Sequence, residues 1–567
     1  MKTSLLSRGL QIVLAFTLLL VSAVTHAATI EASKPLSEIP SLSAGPPTVL
    51  GKKLGEHSYI TAEARKLTQA KVVWINWDYL TQAGFDVGNR VMTPEIEKAI
   101  LDAFAWGIPA PNEPTAAFSE TEKKLFYIDR YGGDGLAGNM GSGRAGTAGD
   151  IQIKGLGKTD LVTTVGHGHS NGTAEIEEAI REAIYGEVAQ VLPYGANRVI
   201  AVLDRGTTTT FEWGHTQTNA LIVREDSLRP AHYMKNLWGR GPLMESEDQR
   251  TQEALTYFTK AFPVPKEFQH SSKPNQIRQA VLAYADRVAE QLAAAFALKI
   301  YHGATSISNI EASGRFIDYG TITTLHDYGK VKIIPANDPF GETQEFHDIL
   351  MLEFLQNIRN QFPPEIATSL PTDKEMGDRF FDQYRRFEHR ELLRLTGLPL
   401  REVLKIEGTP HSWVLTDLLK KVATDGAQTI LDPQVASPLT KYNLNRILIK
   451  LAEVKSPTPK SLENAILNEM SAPDDLLLRR NLIKYYYDVI STSSTSRSAL
   501  IKEARNRNAE HPETYRWNLY RSVAWLVKNY KQSGDAKVVA EQMNDLISRY
   551  HAPARVLRTC QDIFKAI

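Results

Sequence analysis

The chain reads Gly138-Asn139-Met140-Gly141-Ser142-Gly143-Arg144, then Ile151-Gln152-Ile153-Lys154-Gly155, then Ile180-Arg181-Glu182. Glycines let backbone N–H groups close around a phosphate and tolerate positive φ. Arg144, at the end of a tract that begins at Gly132, offers a fork of donors to phosphate oxygens. A glycine tract alone is also an ordinary flexible surface loop. This one is neither a Walker A loop nor a dinucleotide fingerprint, because no strand is predicted before it and no helix directly after it. Asp150–Lys154, Asn197–Leu203 and Ala220–Val223 are short and β-rich. Between the first two, Ile176, Ala179, Ile180, Ala183, Ile184, Val188, Val191 and Leu192 recur at helical spacing, with Glu187 the polar member of the stripe. Glycine loop, strand, helix and strands make a small α/β unit.

Lys154 ends its strand ten residues after Arg144. A strand lysine behind a glycine loop is where a kinase-like fold keeps its phosphate-binding lysine, and that lysine needs a carboxylate partner. Glu182, on the helix face opposite the apolar stripe, is the natural candidate; the plain alternative is a solvated helix glutamate. Arg224 and Arg229 follow the strand Ala220–Val223 and suit a polyphosphate tail, or they are surface charge. Asn309 and Asp318 stand nine residues apart, the latter in Ile317-Asp318-Tyr319-Gly320. Hard oxygen ligands suit Mg²⁺, which takes one or two protein ligands plus substrate phosphates. Asp-Tyr-Gly is common, and Asp327-Tyr328-Gly329 repeats it. His167 and His169 offer a separate metal pair, with His215 or His232 as a third ligand, and so a metal-dependent hydrolase as a further alternative.

Taken in order, these motifs resemble the selenoprotein O family, protein adenylyltransferases on a kinase-like fold. The resemblance covers roughly residues 125–350 and includes Leu228-Arg229-Pro230-Ala231-His232-Tyr233 and His302-Gly303. It implies an α+β, protein-kinase-like two-lobe fold with an additional α-helical C-terminal region. It implies ATP as donor, Mg²⁺ or Mn²⁺ as cofactor, and AMP transfer to Ser, Thr or Tyr hydroxyls of a protein substrate. In this family the nucleotide lies reversed relative to ordinary kinases, so the α-phosphate faces the acceptor. Carried over by position, Lys154 contacts phosphate and Glu182 holds it. Gly141, Gly143, Arg144, Arg224 and Arg229 join Lys154 in binding the nucleotide, and Asn309 and Asp318 ligate the metal. The family's catalytic base position holds Ser308, which takes no proton at neutral pH. The family's Asp and Arg before the helix are Asn171 and Thr173. Glu311 is a substitute candidate for the base. A catalytically inactive, pseudokinase-like nucleotide- or partner-binding protein is the alternative that Ser308 raises.

The rest of the chain frames this unit. Lys2 and Arg8 precede an apolar run from Ile12 to Val24 and then small residues, the pattern of a cleaved signal peptide over residues 1–28 and hence of export. Residues 29–55, with Pro35, Pro40, Pro46 and Pro47, read as a linker. An N-lobe is expected over 56–240, a mostly helical C-lobe over 241–432 and a helical C-terminal region over 433–567. Helices are predicted at Pro94–Trp106, Gln276–Leu298 and Glu345–Arg359, with a β-like interruption at Gly314–Thr324. The 567 residues balance 65 Lys and Arg against 65 Asp and Glu, which speaks against nonspecific nucleic-acid binding. One cysteine, Cys560, excludes an internal disulfide framework and multi-Cys metal sites. No later apolar run is long enough to span a membrane.

Overall fold

The computed structural model describes residues 34–549, apart from 111–112, 133–140, 163–170, 213, 238–241, 320–322, 325–327, 332–349, 431–439 and 509–518. The predicted signal peptide, the tip of the glycine tract, His167, His169, Gly320, Asp327 and Cys560 therefore lie outside the described residues. Within them the chain is mixed α+β, with one large antiparallel sheet and a helical C-terminal region. No helix among the described residues is long and apolar enough to cross a membrane.

The sheet contains β1 (Tyr59–Leu67), β2 (Lys71–Ile75), β3 (Trp106–Gly107), β4 (Phe118–Asp129), β5 (Ala145–Ala148), β6 (Ile151–Lys154), β7 (Ala174–Glu175), β8 (Val199–Thr210) and β9 (Thr216–Glu225). Its order is β2-β8-β9-β6-β5-β4-β1-β3, with β7 added on β9. Register matters most where β6 meets β9: Gln152 faces Arg224 and Lys154 faces Ile222. Side chains alternate across a strand. Ile151, Ile153, Leu221 and Val223 therefore enter the core on one face, while Gln152, Lys154, Ile222 and Arg224 point to the other. A strand does precede the glycine tract. β4 was not predicted because Ser119-Glu120-Thr121-Glu122-Lys123-Lys124 carries no apolar alternation, its outer part being largely exposed.

The first face is covered by α2 (Pro94–Phe104) and by a 3₁₀ segment, Leu36–Ser43. Thr93 caps α2 by accepting the Ile96 N–H (3.3 Å), Pro94 fits the first turn, and Ala99, Ile100, Ala103 and Phe104 form the buried stripe. The expected linker over 29–55 is not a linker where it is described. Ile39, Leu50 and Leu54 are buried, Ser43 donates to the Ala103 carbonyl (2.8 Å), and Asp150 accepts from both the N–H and the hydroxyl of Thr48 (2.8 and 2.6 Å). Pro35 and Pro47 immediately precede Leu36–Ser43 and α1 (Thr48–Leu54); they are helix-entry prolines, not loop markers.

The other face is covered by α3 (Ile176–Val188), backed in turn by α5 (Lys273–Ala297) and by the chain's last described helices, α12 (Leu519–Ser533) and 536–549. Between α3 and α5 lies α4 (Glu247–Thr256). A third core lies in the C-terminal half of α6 (Asp373–Leu395) with α7 (Pro410–Thr424), α8 (Leu444–Glu453), α9 (Pro459–Ile466), α10 (Leu476–Ser491) and α11 (Arg497–Arg507). The expected division of the C-terminal half changes accordingly. The division at 432 falls inside this third core, and residues 519–549 return to the first part of the chain. There Tyr530 donates to Asp204 (2.7 Å), Lys531 to Glu175 (2.7 Å), and Trp74 Nε1 to Asn544 (2.8 Å). The 345–359 helix is described from a π turn at Leu350–Leu355, which runs into a helix at Gln356–Gln361. The described residues of 314–324 are mostly irregular, with single bridges at Phe316 and a two-residue strand at Thr323–Thr324.

Candidate functional site

Lys154 ends β6 on the sheet face that α3 covers. Its ammonium has three donors and meets three carboxylates: Glu182 (2.5 Å) and Glu178 (2.8 Å), both on α3, and Asp318. The lysine can stop there because Gly155 turns the chain at φ +89°; a Cβ at Gly155 would lie 2.2 Å from the Ala220 carbonyl oxygen. Glu182 is not a solvated helix residue. Its side chain is wholly buried, because α3 is sandwiched between the sheet and the helices behind it, and its second oxygen takes Arg224 Nη1 (3.1 Å).

Arg224 also receives support from its cross-strand partner Gln152, to whose amide oxygen Nε donates (2.9 Å), and it lies 3.3 Å from Asp318. Arg144 donates to both oxygens of Glu178 (2.7 and 3.0 Å) and to the Thr173 carbonyl (3.0 Å). Arg229 donates to the Ser308 carbonyl (2.8 Å), lies 3.8 Å from Asp318 and sits over the Tyr131 ring (5.4 Å). Four cations thus converge with three carboxylates. Burial alone would drive Lys154 to lose its proton, but Asp318, Glu178 and Glu182 overcome it and raise its pKa. Burial likewise opposes ionisation of Asp318, yet Lys154, Arg224 and Arg229 hold it well below the usual carboxylate range.

The segment carrying Asp318 is fixed from below. Asn197, at the entry to β8, donates its N–H to the Phe316 carbonyl (2.8 Å), and Tyr319 donates its hydroxyl to the same carbonyl (2.5 Å). Gly186 on α3 leaves room for this: a Cβ there would sit 3.3 Å from the Asn197 carbonyl oxygen and 3.5 Å from the Tyr319 ring. Glu187, the polar member of the helical stripe, pairs with Arg198 (2.7 Å) and ties α3 to the chain just before β8. Asp318 itself has φ +65°, a left-handed conformation that non-glycine residues adopt at a cost of about 1–3 kcal/mol. The surroundings hold it there, as is common at functional sites.

Asn309 joins this segment through its backbone, its carbonyl accepting the Ile317 N–H (3.0 Å). Its side-chain nitrogen donates to Ala304 (2.8 Å), which leaves the amide oxygen as the available ligand atom. One carboxylate and one amide oxygen are donor types that a hard divalent cation completed by phosphates takes, but the Asp318 oxygens rest on Lys154, Arg224 and Arg229, so a cation would have to take the carboxylate from some of them. Ser308 bonds through its hydroxyl to Ser306 (3.0 Å). Glu311 is not a substitute base: Arg315 (2.8 and 3.0 Å) and Asn197 (3.0 Å) already occupy its oxygens. Gly141 and Gly143 stand at the neck of the glycine loop. Gly141 bridges Arg130, and a Cβ on Gly143 would meet Val162 at 2.8 Å; among the described contacts they pack the loop's base.

Two groups escaped the sequence reading. Glu178 lies one helical turn before Glu182, so the i, i+4 spacing could have found it. The Asp129–His232 pair left no such signal. Both side chains are fully buried. His232 donates from Nε2 to Asp129 (2.9 Å) and accepts the Arg229 N–H at Nδ1 (2.9 Å), so the end of β4 anchors the Arg229 backbone. With both ring nitrogens committed, His232 does not supply the third ligand of a His167–His169 metal site.

His302 beneath the site makes a pH prediction. Burial holds it neutral, with its pKa down at about 4. Nε2 donates to the Ile317 carbonyl (3.0 Å) and Nδ1 accepts the Ala304 N–H (3.3 Å). An unfolded histidine titrates near 6.5, so the contribution is complete above about pH 6.5 and is lost as pH falls toward 4. The loss amounts to about 3 kcal/mol by the lower end of that window. Denaturant midpoints at pH 7 and pH 4.5 should fall further for the wild type than for His302→Gln; equal losses would remove His302 as the source.

No protein-family model matches the chain, and a search of curated proteins finds none similar to it.

Proposed function

We propose that this chain is a Mg²⁺–ATP-dependent protein adenylyltransferase with a protein-kinase-like two-lobe fold, exported through residues 1–28 and akin to the selenoprotein O family. The observation that carries the reading is the meeting of Lys154, Glu182 and Asp318, from three separate parts of the chain, within a ring formed by Arg144, Arg224 and Arg229. The succession around them also supports it: a β4–β5 hairpin about a glycine tract, a strand ending in lysine, then a helix bearing its glutamate partner. Two buried arginines after the middle of β9 suit phosphates better than a heterocyclic base.

In the reaction, an acceptor hydroxyl oxygen forms a bond to the α-phosphorus. The bond from that phosphorus to the bridging oxygen breaks, and pyrophosphate leaves. The three arginines and Lys154 neutralise charge on the departing phosphates. Asp318 and Asn309 would hold the divalent cation, which when bound screens phosphate charge. Ser308 accepts no proton at neutral pH, so the hydroxyl proton passes to solvent. A missing general base forfeits about 10²–10⁴-fold, while positioning and charge neutralisation remain.

ATP labelled on the α-phosphate should label a protein, and γ-labelled ATP should not. Label from the γ-phosphate alone would make the chain a kinase. A second reading, nucleotide binding without transfer, is favoured by Ser308 and by the commitment of Glu311 to Arg315. It predicts nucleotide-dependent thermal stabilisation with no label, and transfer appearing in Ser308→Asp.

A further inference from the structure

The three carboxylates on Lys154 are not equivalent. Glu182 is the floor: its side chain has 0% exposure and is shared with Arg224. Glu178 and Asp318 retain 20% and 27% exposure and so can be reached from solvent. Asp318 is the metal candidate. Glu178 has another distinction. Its two oxygens take the Arg144 fork in a bidentate pair, and one of them also takes Lys154. A guanidinium fork binds carboxylate and phosphate with the same geometry. Glu178 thus makes the very contacts that a phosphate would make with Arg144 and Lys154. It is firmly an anion: burial pushes its pKa up, but Arg144 and Lys154 bring it down to about 2.

Resting on the nucleotide-binding reading, we propose that Glu178 is a displaceable internal anion that sets the affinity and charge preference of the cradle. A phosphate group binds by taking Arg144 and Lys154 from it. Glu182 keeps Lys154 in place during the exchange, so the movement is confined to the Glu178 side chain and needs no shift of α3. A ligand must outbid a carboxylate already seated on both cations. Highly charged chains such as a triphosphate succeed where a monophosphate does not, and the cradle stays closed to the weaker anions around it.

Inorganic tripolyphosphate, titrated calorimetrically into the full chain, tests this. Glu178→Gln keeps the shape and removes the competing charge, so it should bind at least about tenfold more tightly than the wild type, since charge-assisted contacts of this kind are the strong ones. Monophosphate should gain proportionally more. Adding Arg144→Gln to Glu178→Gln should abolish the gain. Should Glu178→Gln fail to fold, Glu178→Asp carries the test: its shorter side chain loosens the grip on Arg144 and should also tighten binding, by less. A wild type that binds, with variants that bind no better, overturns this proposal and makes Glu178 a structural prop. If neither wild type nor variants bind tripolyphosphate, the nucleotide reading itself falls.

Discussion

On the proposed adenylyltransferase reading, Lys154→Ala should lower AMP transfer by about 10²–10³-fold, the loss usual when one preorganised charged donor is taken from a transition state. The variant should nevertheless fold. Stripping one partner from an isolated buried ion pair removes about 3–5 kcal/mol, because a charge is left uncompensated. Here each carboxylate keeps a second cation: Glu178 retains Arg144, Glu182 retains Arg224, and Asp318 retains Arg224 and Arg229. The stability loss should therefore stay at about 1.5–3 kcal/mol, as for a charged hydrogen bond. The α-label assay beside a thermal melt measures both. A folded Lys154→Ala that transfers within about threefold of wild type, a fraction of the loss argued above, would mean that the chemistry lies elsewhere.

Glu247→Ala should produce a large stability loss. One carboxylate on α4 serves two buried guanidiniums. It accepts from Arg130 (3.1 Å), from Arg250 Nε and Nη2 (2.9 and 2.6 Å), and from the Asn236 N–H (2.8 Å). All three side chains are almost fully buried. Removing Glu247 strands two cations, so about 3–5 kcal/mol is a lower expectation, equivalent to a fall of roughly 3–4 °C in Tm for a chain of this length melting as one unit. Glu247→Gln restores acceptor and shape without the charge and should recover only part. The effect reaches the site, because Arg250 holds the His232 and Met234 carbonyls (2.6 and 2.5 Å) and so the loop that begins at Arg229. Thermal melts of both variants check this; a shift below about 1 °C for the alanine would show that the pair of arginines is satisfied some other way.

Much of the central unit was legible in the residues. The period-3.6 stripe predicted α3, the β-rich runs predicted β6, β8 and β9, and a strand lysine called for a helix carboxylate. Local chemistry writes these signals directly into the chain. β1 and β4 were illegible because their outer residues face water and alternate poorly. The prolines of 29–55 misled because proline opens helices as well as loops.

Residue order by itself settled which side chains carry charge, where the chain must turn, and which strand and helix bear Lys154 and Glu182. Only the tertiary structure decided that Glu182 is a buried floor, that Glu178 shares its lysine, that Asp129 and His232 steady Arg229, and that residues 519–549 fold back behind α3. Periodicity reports how a segment meets its own neighbours within a few residues. Burial of an ion, and the partner that makes it tolerable, depend on other segments, 28 positions away for the Glu182 partner of Lys154 and 164 for Asp318, whose approach no local pattern encodes.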